Sequence, residues 1–248
     1  ARVRDYRVQQ ITRMANVEVY RASRLTPEHV HELGAPRVVI ATGARWRRDG
    51  VGRANSAPVP GFDREAVLTP DDVMAGAAPE GPVVVFDDDH YYLGGVLAEK
   101  LRRDGLDVTL VTPALAASYW TEKTLEIGHI YKRLLELDID IVPHTNVATF
   151  HGGRVELACV HTDKRRDIPC AAIVTVTARL PEDALYRALI EDEAALEAAG
   201  IKSVAAIGDA LAPGTIAAAV YAGHRAAREL DDPADPDAVP FERELPAI

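Results

Sequence analysis

The 248 residues predict a doubly wound α/β architecture. Three observations carry that prediction. Short apolar runs alternate with amphipathic stretches along most of the chain. "RVVIATGARW" (37–46) is apolar up to Gly43, as a strand buried on both faces of a parallel sheet would be. "VVVF", "YLGGVLAEKLRRDG" and "DVTLVT" then follow one another as a β-α-β unit over residues 83–112.

In chain order, residues 4–15 read as a helix and "VEVY" (17–20) as a short strand. "TPEHVHEL" offers a Thr cap followed by Pro in the first helical position, so a helix is expected over 27–33. The segment 50–66 is rich in glycine and proline without periodicity and reads as a loop, and "TPDDVMAG" repeats the Thr-Pro helix start. After the β-α-β unit come a helix over 122–136, the strand "IDIV", and alternating strands at 146–150, 153–161 and 171–177. "SVAAIGDA" reads as a last buried strand, and "PGTIAAAVYAGHRAARELDD" as a closing helix. The Pro- and Asp-rich tail 231–248 reads as an extended strap or a disordered end.

A formal net charge of −10 argues against nucleic acid and against an anionic membrane surface as partners, because both repel it. No apolar run reaches the roughly 18 residues that cross a bilayer, and "ARVRDYRVQQ" has no signal-peptide pattern. The two cysteines, Cys159 and Cys170, fall in no metal-ligand spacing. A cytoplasmic protein without a metal in this chain is expected.

Chemistry is most conspicuous in "FDDDHYY", residues 86–92. A dinucleotide site needs glycines after the strand, so that backbone amides approach a pyrophosphate at the helix N-terminus, and an acid some 20 residues on for the ribose. Asp87, Asp88 and Asp89 stand where the glycines belong, Gly94 and Gly95 come only inside the helix, and the next strand ends in Thr112. A carboxylate about 4 Å from a phosphate charge costs on the order of 4 kcal/mol at an effective dielectric near 20, about a thousandfold in affinity. The same residues resemble a magnesium-dependent phosphatase of the haloacid-dehalogenase type, with Asp87 and Asp89 as nucleophile and acid/base and Asp209 on a later metal-binding strand end. Tyr91 and the lack of a second acid after Gly208-Asp209 depart from that pattern. A third reading has the carboxylates simply capping the helix.

Two further strand ends occur together: Ala41-Thr42-Gly43, and Gly208-Asp209 within "SVAAIGDALAPGTIAAAVYAGHRAA". Flavoproteins with two dinucleotide domains place an Ala-Thr-Gly turn and a late Gly-Asp in this order around an inserted β-α-β unit. "VVIATGARWRRDG", "LTPDDVMAG", "LAEKLRRDGLDVTLVT", "LLELDIDIV" and "IGDALAP…AGHRAAREL" resemble the C-terminal part of the trimethylamine, dimethylamine and histamine dehydrogenase family, over nearly the whole chain.

The resemblance implies two FAD/NAD(P)-binding-like (Rossmann-type) domains, the second inserted in the first. Residues 1–77 with 169–248 would form an FAD/ADP-binding-like domain, incomplete at its N-terminus, and 78–168 the inserted domain with a degenerate dinucleotide motif. Ala41, Thr42, Gly43, Gly208 and Asp209 would contribute to an ADP- or FAD-like site. The parent enzyme would cleave a C–N bond of a small amine oxidatively, with FMN and a 4Fe-4S cluster in an N-terminal barrel outside this sequence. An electron-transferring flavoprotein is the implied acceptor and a homodimer the implied assembly. The piece in hand would be structural or ADP-binding rather than catalytic. A related superfamily member, the NAD(P)H-dependent enoyl-CoA-type reductase, is the nearer alternative.

Other residues invite functional readings. Arg45, Arg47 and Arg48 surround Trp46, which reads either as a cation–π contact with an adenine or a partner or as ordinary loop packing. His29 and His31 point to different sides of one helix and are poor joint ligands. His224, Arg225 and Arg228 form a basic face on the last helix, and Tyr91 and Tyr92 stand at the start of the helix after the aspartates.

Overall fold

The computed structural model describes residues 2–230, so the tail expected over 231–248 lies outside the described residues. The elements begin with α1 (Arg2–Ile11), α2 (Pro27–Leu33), β1 (Arg37–Ile40), β2 (Ala44–Trp46), β3 (Val67–Leu68) and α3 (Pro70–Met74). They continue with β4 (Val83–Asp87), α4 (Tyr92–Arg103), β5 (Val108–Val111), α5 (Ile127–Glu136), β6 (Asp140–Val142), β7 (Thr145–Phe150) and β8 (Gly153–Cys159). Last come β9 (Arg165–Cys170), β10 (Ala172–Val176), β11 (Arg179–Pro181), α6 (Ala184–Ile190), α7 (Glu193–Ala198), β12 (Ser203–Ala206) and α8 (Ile216–Arg228).

They fall into two compact units. The smaller comprises residues 1–40 and 183–206, where β1 pairs in parallel with β12. Thr26 caps α2, with Pro27 at its first position and His29 closing the capping box in place of the usual Glu or Gln. Gly34 ends the helix in the left-handed conformation at φ +57°.

The larger unit, which among the described residues takes in 41–182 and 207–230, holds a parallel sheet of five strands in the order β3-β10-β4-β5-β6. Because side chains alternate along a strand, β4 sends Val83 and Val85 to one face and Val84 and Phe86 to the other. The first set packs with Leu97 and Leu101 of α4, Leu134 of α5 and Val174 of β10. The second meets Phe62, Val147, Phe150, Val155 and Leu157, so the antiparallel meander β7-β8-β9 covers that face. A doubly wound sheet would carry helices there. Gly61 seals the contact: at φ +85°, a Cβ on it would stand 1.9 Å from the Phe150 carbonyl oxygen.

Several sequence expectations need correction. "VEVY" forms no strand; Val17, Val19 and Tyr20 are exposed, and no ladder partner satisfies them among the described residues. "RVVIATGARW" is two strands, interrupted at residues 41–43 because Gly43 takes φ +84°. Its first strand is not buried on both faces, since β1 pairs only with β12 and Val39 is exposed. "SVAAIGDA" alternates exposed and half-buried positions for the same reason. The helix expected over 122–136 is a 3-10 turn at Tyr119–Thr124 followed by α5. Strands β3, β9 and β11 and helices α6 and α7 were not anticipated; the first three are short or polar, and α6 and α7 are each under two turns.

The cysteines differ in access. Cys170 is fully buried on β9, and burial pushes its thiol up to about 12. Cys159 is half-buried, and a hydrogen bond with the Thr162 side chain is the main cause holding its thiol below the ordinary range. Native protein treated with iodoacetamide at pH 8 is expected to be alkylated at Cys159 alone, as peptide mass spectrometry would show. Equal labelling of Cys170 would contradict this packing.

Candidate functional site

Strand β4 ends on the three aspartates, and their carboxyl groups have different surroundings. Asp87 is fully buried, and its Oδ1 accepts a 3.0 Å hydrogen bond from the His90 amide. His90 sits at φ +65°, which turns the chain sharply into α4. Gly94 in the first turn of α4 makes room for the acid; a Cβ there would be 2.4 Å from the Asp87 Cγ. The glycine that the sequence places too late for a phosphate thus serves an aspartate. Burial raises the Asp87 pKa to about 7, against the opposing His90 amide bond.

Asp88 is fully buried too. Its Oδ2 accepts from the Arg53 amide at 2.5 Å and the Ala54 amide at 2.9 Å. The glycine-rich loop at 50–55 is thereby drawn over the end of β4. Gly52 is required under it, since a Cβ would lie 2.3 Å from the same oxygen. Adjacent backbone amides converging on one oxygen are the arrangement that binds phosphate in nucleotide sites. Here an aspartate of the chain supplies the acceptor. The carboxylates therefore do not cap α4 as expected: the N-cap is Tyr91, whose side chain makes no capping bond.

Above this turn a cavity of about 410 Å³ opens, lined among others by Arg53, Asp89, Tyr91, Trp120, Thr177 and Arg179. The Arg53 guanidinium lies over the Trp120 ring at 4.3 Å. Asp89 is held above the ordinary carboxyl range mainly by burial, which outweighs Arg179 and Arg53 nearby. The Thr177 hydroxyl is buried and has no hydrogen-bond partner among the described residues. Sequence reading missed Gly52, Arg53, Trp120, Thr177 and Arg179. The one available signal is the cluster "GVGRANS" that opens the loop expected over 50–66.

The residues expected at an ADP-like site occupy a neighbouring part of the same unit. The Thr42 hydroxyl donates to the Glu182 carbonyl, and the Glu182 amide donates to the Gly43 carbonyl at 2.9 Å, which ties the Ala41-Thr42-Gly43 turn to the end of β11. Asp209 accepts from Arg179 of β11 at 2.7 Å and from the Gly214 amide at 3.0 Å. The two predicted strand ends are thus fastened to one short strand, and neither lines the cavity over Asp89. Gly43 has open space where a Cβ would be, so a ligand backbone could approach it. Each Asp209 oxygen keeps a second lone pair beyond its one bond, enough to accept from a ribose or ribityl hydroxyl. These features fit the edge of a nucleotide. An iron–sulfur cluster does not fit: the chain has two cysteines, and no three His, Cys, Asp or Glu residues are placed to hold a metal among the described residues.

The other candidates have plain partners. Arg47 pairs with Asp49, Arg48 with Asp72 and Arg45 with Glu182, while the cation over Trp46 is Arg179, remote in sequence, at 5.2 Å. Arg225 pairs with Glu229, and the Tyr92 hydroxyl is bound to Glu126. Asp87 cannot serve a phosphatase as nucleophile, because no solvent reaches it and Gly94 lies against it.

A parallel sheet with helices on one face and a cavity at its strand ends defines a Rossmann-like mixed α/β protein. Residues 68–170 match the family described as the OYE-like second alpha/beta domain. The chain is 37% identical over 268 residues to the dimethylamine dehydrogenase of Hyphomicrobium sp. (strain x), an alignment that takes in 97% of this chain and 36% of that protein. Its fold superposes on histamine dehydrogenase from Rhizobium sp. 4-9 with a TM-score of 0.94 and 48% identity, over 100% of this chain and 38% of the other. The 6-hydroxypseudooxynicotine amine oxidase of Pseudomonas geniculata N1 follows, with a TM-score of 0.87 and 41% identity over 91% of this chain and 33% of its own. The chain belongs to the trimethylamine/histamine dehydrogenase family of flavoprotein oxidoreductases. It spans little more than a third of the length of the relatives it matches.

Proposed function

We propose that this chain is the nucleotide-domain module of an amine-dehydrogenase-like flavoprotein, and that its own role is structural and ADP-binding, not catalytic. In this reading residues 1–77 with 169–248 form the FAD/ADP-binding-like domain, and 78–168 the inserted NAD(P)-binding-like domain. The family match over 68–170 supports the insertion. The parent enzyme oxidises a C–N bond of a small amine, using FMN and a 4Fe-4S cluster held by other parts of the protein, and delivers electrons to an electron-transferring flavoprotein. Flavin and cluster supply the redox chemistry when bound. This chain's residues position a nucleotide: Gly43 admits it closely, and Asp209, oriented by Arg179 and the Gly214 amide, accepts from its sugar hydroxyls.

The observation that carries the non-catalytic reading is Asp88. Its carboxyl group stands at the end of β4, where a pyridine-nucleotide phosphate would approach, and its bonds to the Arg53 and Ala54 amides draw the 50–55 loop over that strand end, which disfavours the NAD(P)H-dependent reductase. Isothermal calorimetry of the full-length enzyme, freed of bound nucleotide, tests this. ADP is expected to bind and NADH to give no heat; Gly43→Val is expected to weaken ADP at least tenfold by filling the open approach. Tight NADH binding that persists in Gly43→Val would overturn the reading.

A further inference from the structure

We infer that His144 and His161 form a binding site for one divalent late transition-metal ion, with Cu²⁺ held most tightly. His161 Nε2 and His144 Nδ1 face each other at 3.2 Å, with ring centroids 5.1 Å apart and planes tilted by 50°. Two nitrogens at that separation, each about 2.05 Å from a shared ion, subtend roughly 100° at the metal, between the cis angle of a tetragonal site and the tetrahedral angle. An ion at that point lies about 40° off the line between the two nitrogens, so each imidazole turns toward it by rotation about its side-chain bonds, over a separation that already suits a shared metal.

The backbone keeps them in place. His144 immediately precedes β7 and His161 follows β8 by two residues, where the ladder ends with Thr145 opposite Cys159. The His144 carbonyl accepts from the Val160 amide at 2.9 Å, and the His144 amide donates to the Ala114 carbonyl at 2.9 Å. His144 is thereby fixed at φ +53°, a left-handed conformation that costs about 1 kcal/mol for a residue with a side chain. A site whose ligands sit on a paired ribbon loses little freedom when it closes on an ion.

The surroundings define what kind of site this is. The Cys159 thiol is engaged with Thr162, Lys164 is the neighbouring cation, and no third His, Cys, Asp or Glu is placed to join the pair among the described residues. The protein thus supplies two nitrogens and leaves the remaining positions to water, as suits an exchangeable ion more than a buried structural one. His161 is exposed, which gives the ion access. Imidazole ligands in that number favour Cu²⁺ over Ni²⁺ and Zn²⁺.

The test uses the native full-length protein with CuCl₂ as the probe, followed by calorimetry and electron paramagnetic resonance. One equivalent is expected to bind with an axial Cu²⁺ signal showing nitrogen couplings, and His144→Ala and His161→Ala are each expected to weaken that equivalent at least tenfold. Cys159→Ser is expected to leave affinity and spectrum unchanged. Unaltered copper binding in both histidine variants, or a loss confined to Cys159→Ser, would overturn the assignment. Both substitutions lie at the end of a surface ribbon, so circular dichroism of each variant separates lost metal from lost fold. Amine oxidation and nucleotide binding do not enter this test, so its outcome is independent of the proposed function.

Discussion

Asp87→Asn is expected to stabilise the protein at pH 8 and to flatten its pH dependence. In the folded state burial lifts the Asp87 pKa from 3.8 to about 7, so the native protein holds a proton that the unfolded chain releases. The stability linked to that proton is complete below about pH 3.8 and declines as pH rises through about 7. At about 1.4 kcal/mol per pH unit, the ceiling is about 4 kcal/mol. Asparagine keeps the acceptor for the His90 amide and fits beside Gly94, but it has no charge to bury. Urea melts at pH 5 and pH 8 provide the measurement: of that ceiling the part above pH 5 falls between them, so the wild type should lose about 2 to 3 kcal/mol more than the variant. Parallel behaviour of the two proteins would mean that water reaches Asp87.

Asp88→Ala should be among the most disruptive single changes in the larger unit. It strips an acceptor from the Arg53 and Ala54 amides and leaves a void beneath Gly52. Losing two such bonds and their buried acceptor costs about 3 to 5 kcal/mol. If the loop's amides form an anion nest filled by the chain itself, a small anion should replace the missing group. Formate or acetate at about 100 mM is then expected to raise the melting temperature of Asp88→Ala by several degrees and leave the wild type unaffected. Equal shifts in both proteins would reduce Asp88 to ordinary packing.

The strands and helices around the strand-end turn were legible because strong signals agree locally: the continuous apolar run of β4, the amphipathic α4, and the Thr-Pro starts of α2 and α3. The distinct environments of the three aspartates were not. Repulsion of a phosphate follows from charge alone and could be read directly. That Asp88 reaches a loop some 35 residues upstream, while Asp87 points under Gly94, depends on tertiary placement that no local pattern encodes. Trp46 makes the same point. Its sequence neighbours are three arginines, yet the cation over its ring is Arg179, brought there by the pairing of β2 with β11. The "VEVY" strand failed for the complementary reason, since alternation proposes a strand but only a partner makes one.

The hold of Asp88 on the 50–55 loop also bears on how this cleft could change over evolutionary time. Nucleotide binding at this turn would need glycine-like residues after β4 and a loop that does not lie across them. The first substitution alone leaves the Arg53 and Ala54 amides without their acceptor, and the second alone leaves a buried aspartate without its donors. Either order passes through a less stable protein, so the arrangement behaves as a ratchet: neighbouring residues depend on one another, and mutation by single steps meets a barrier in both directions.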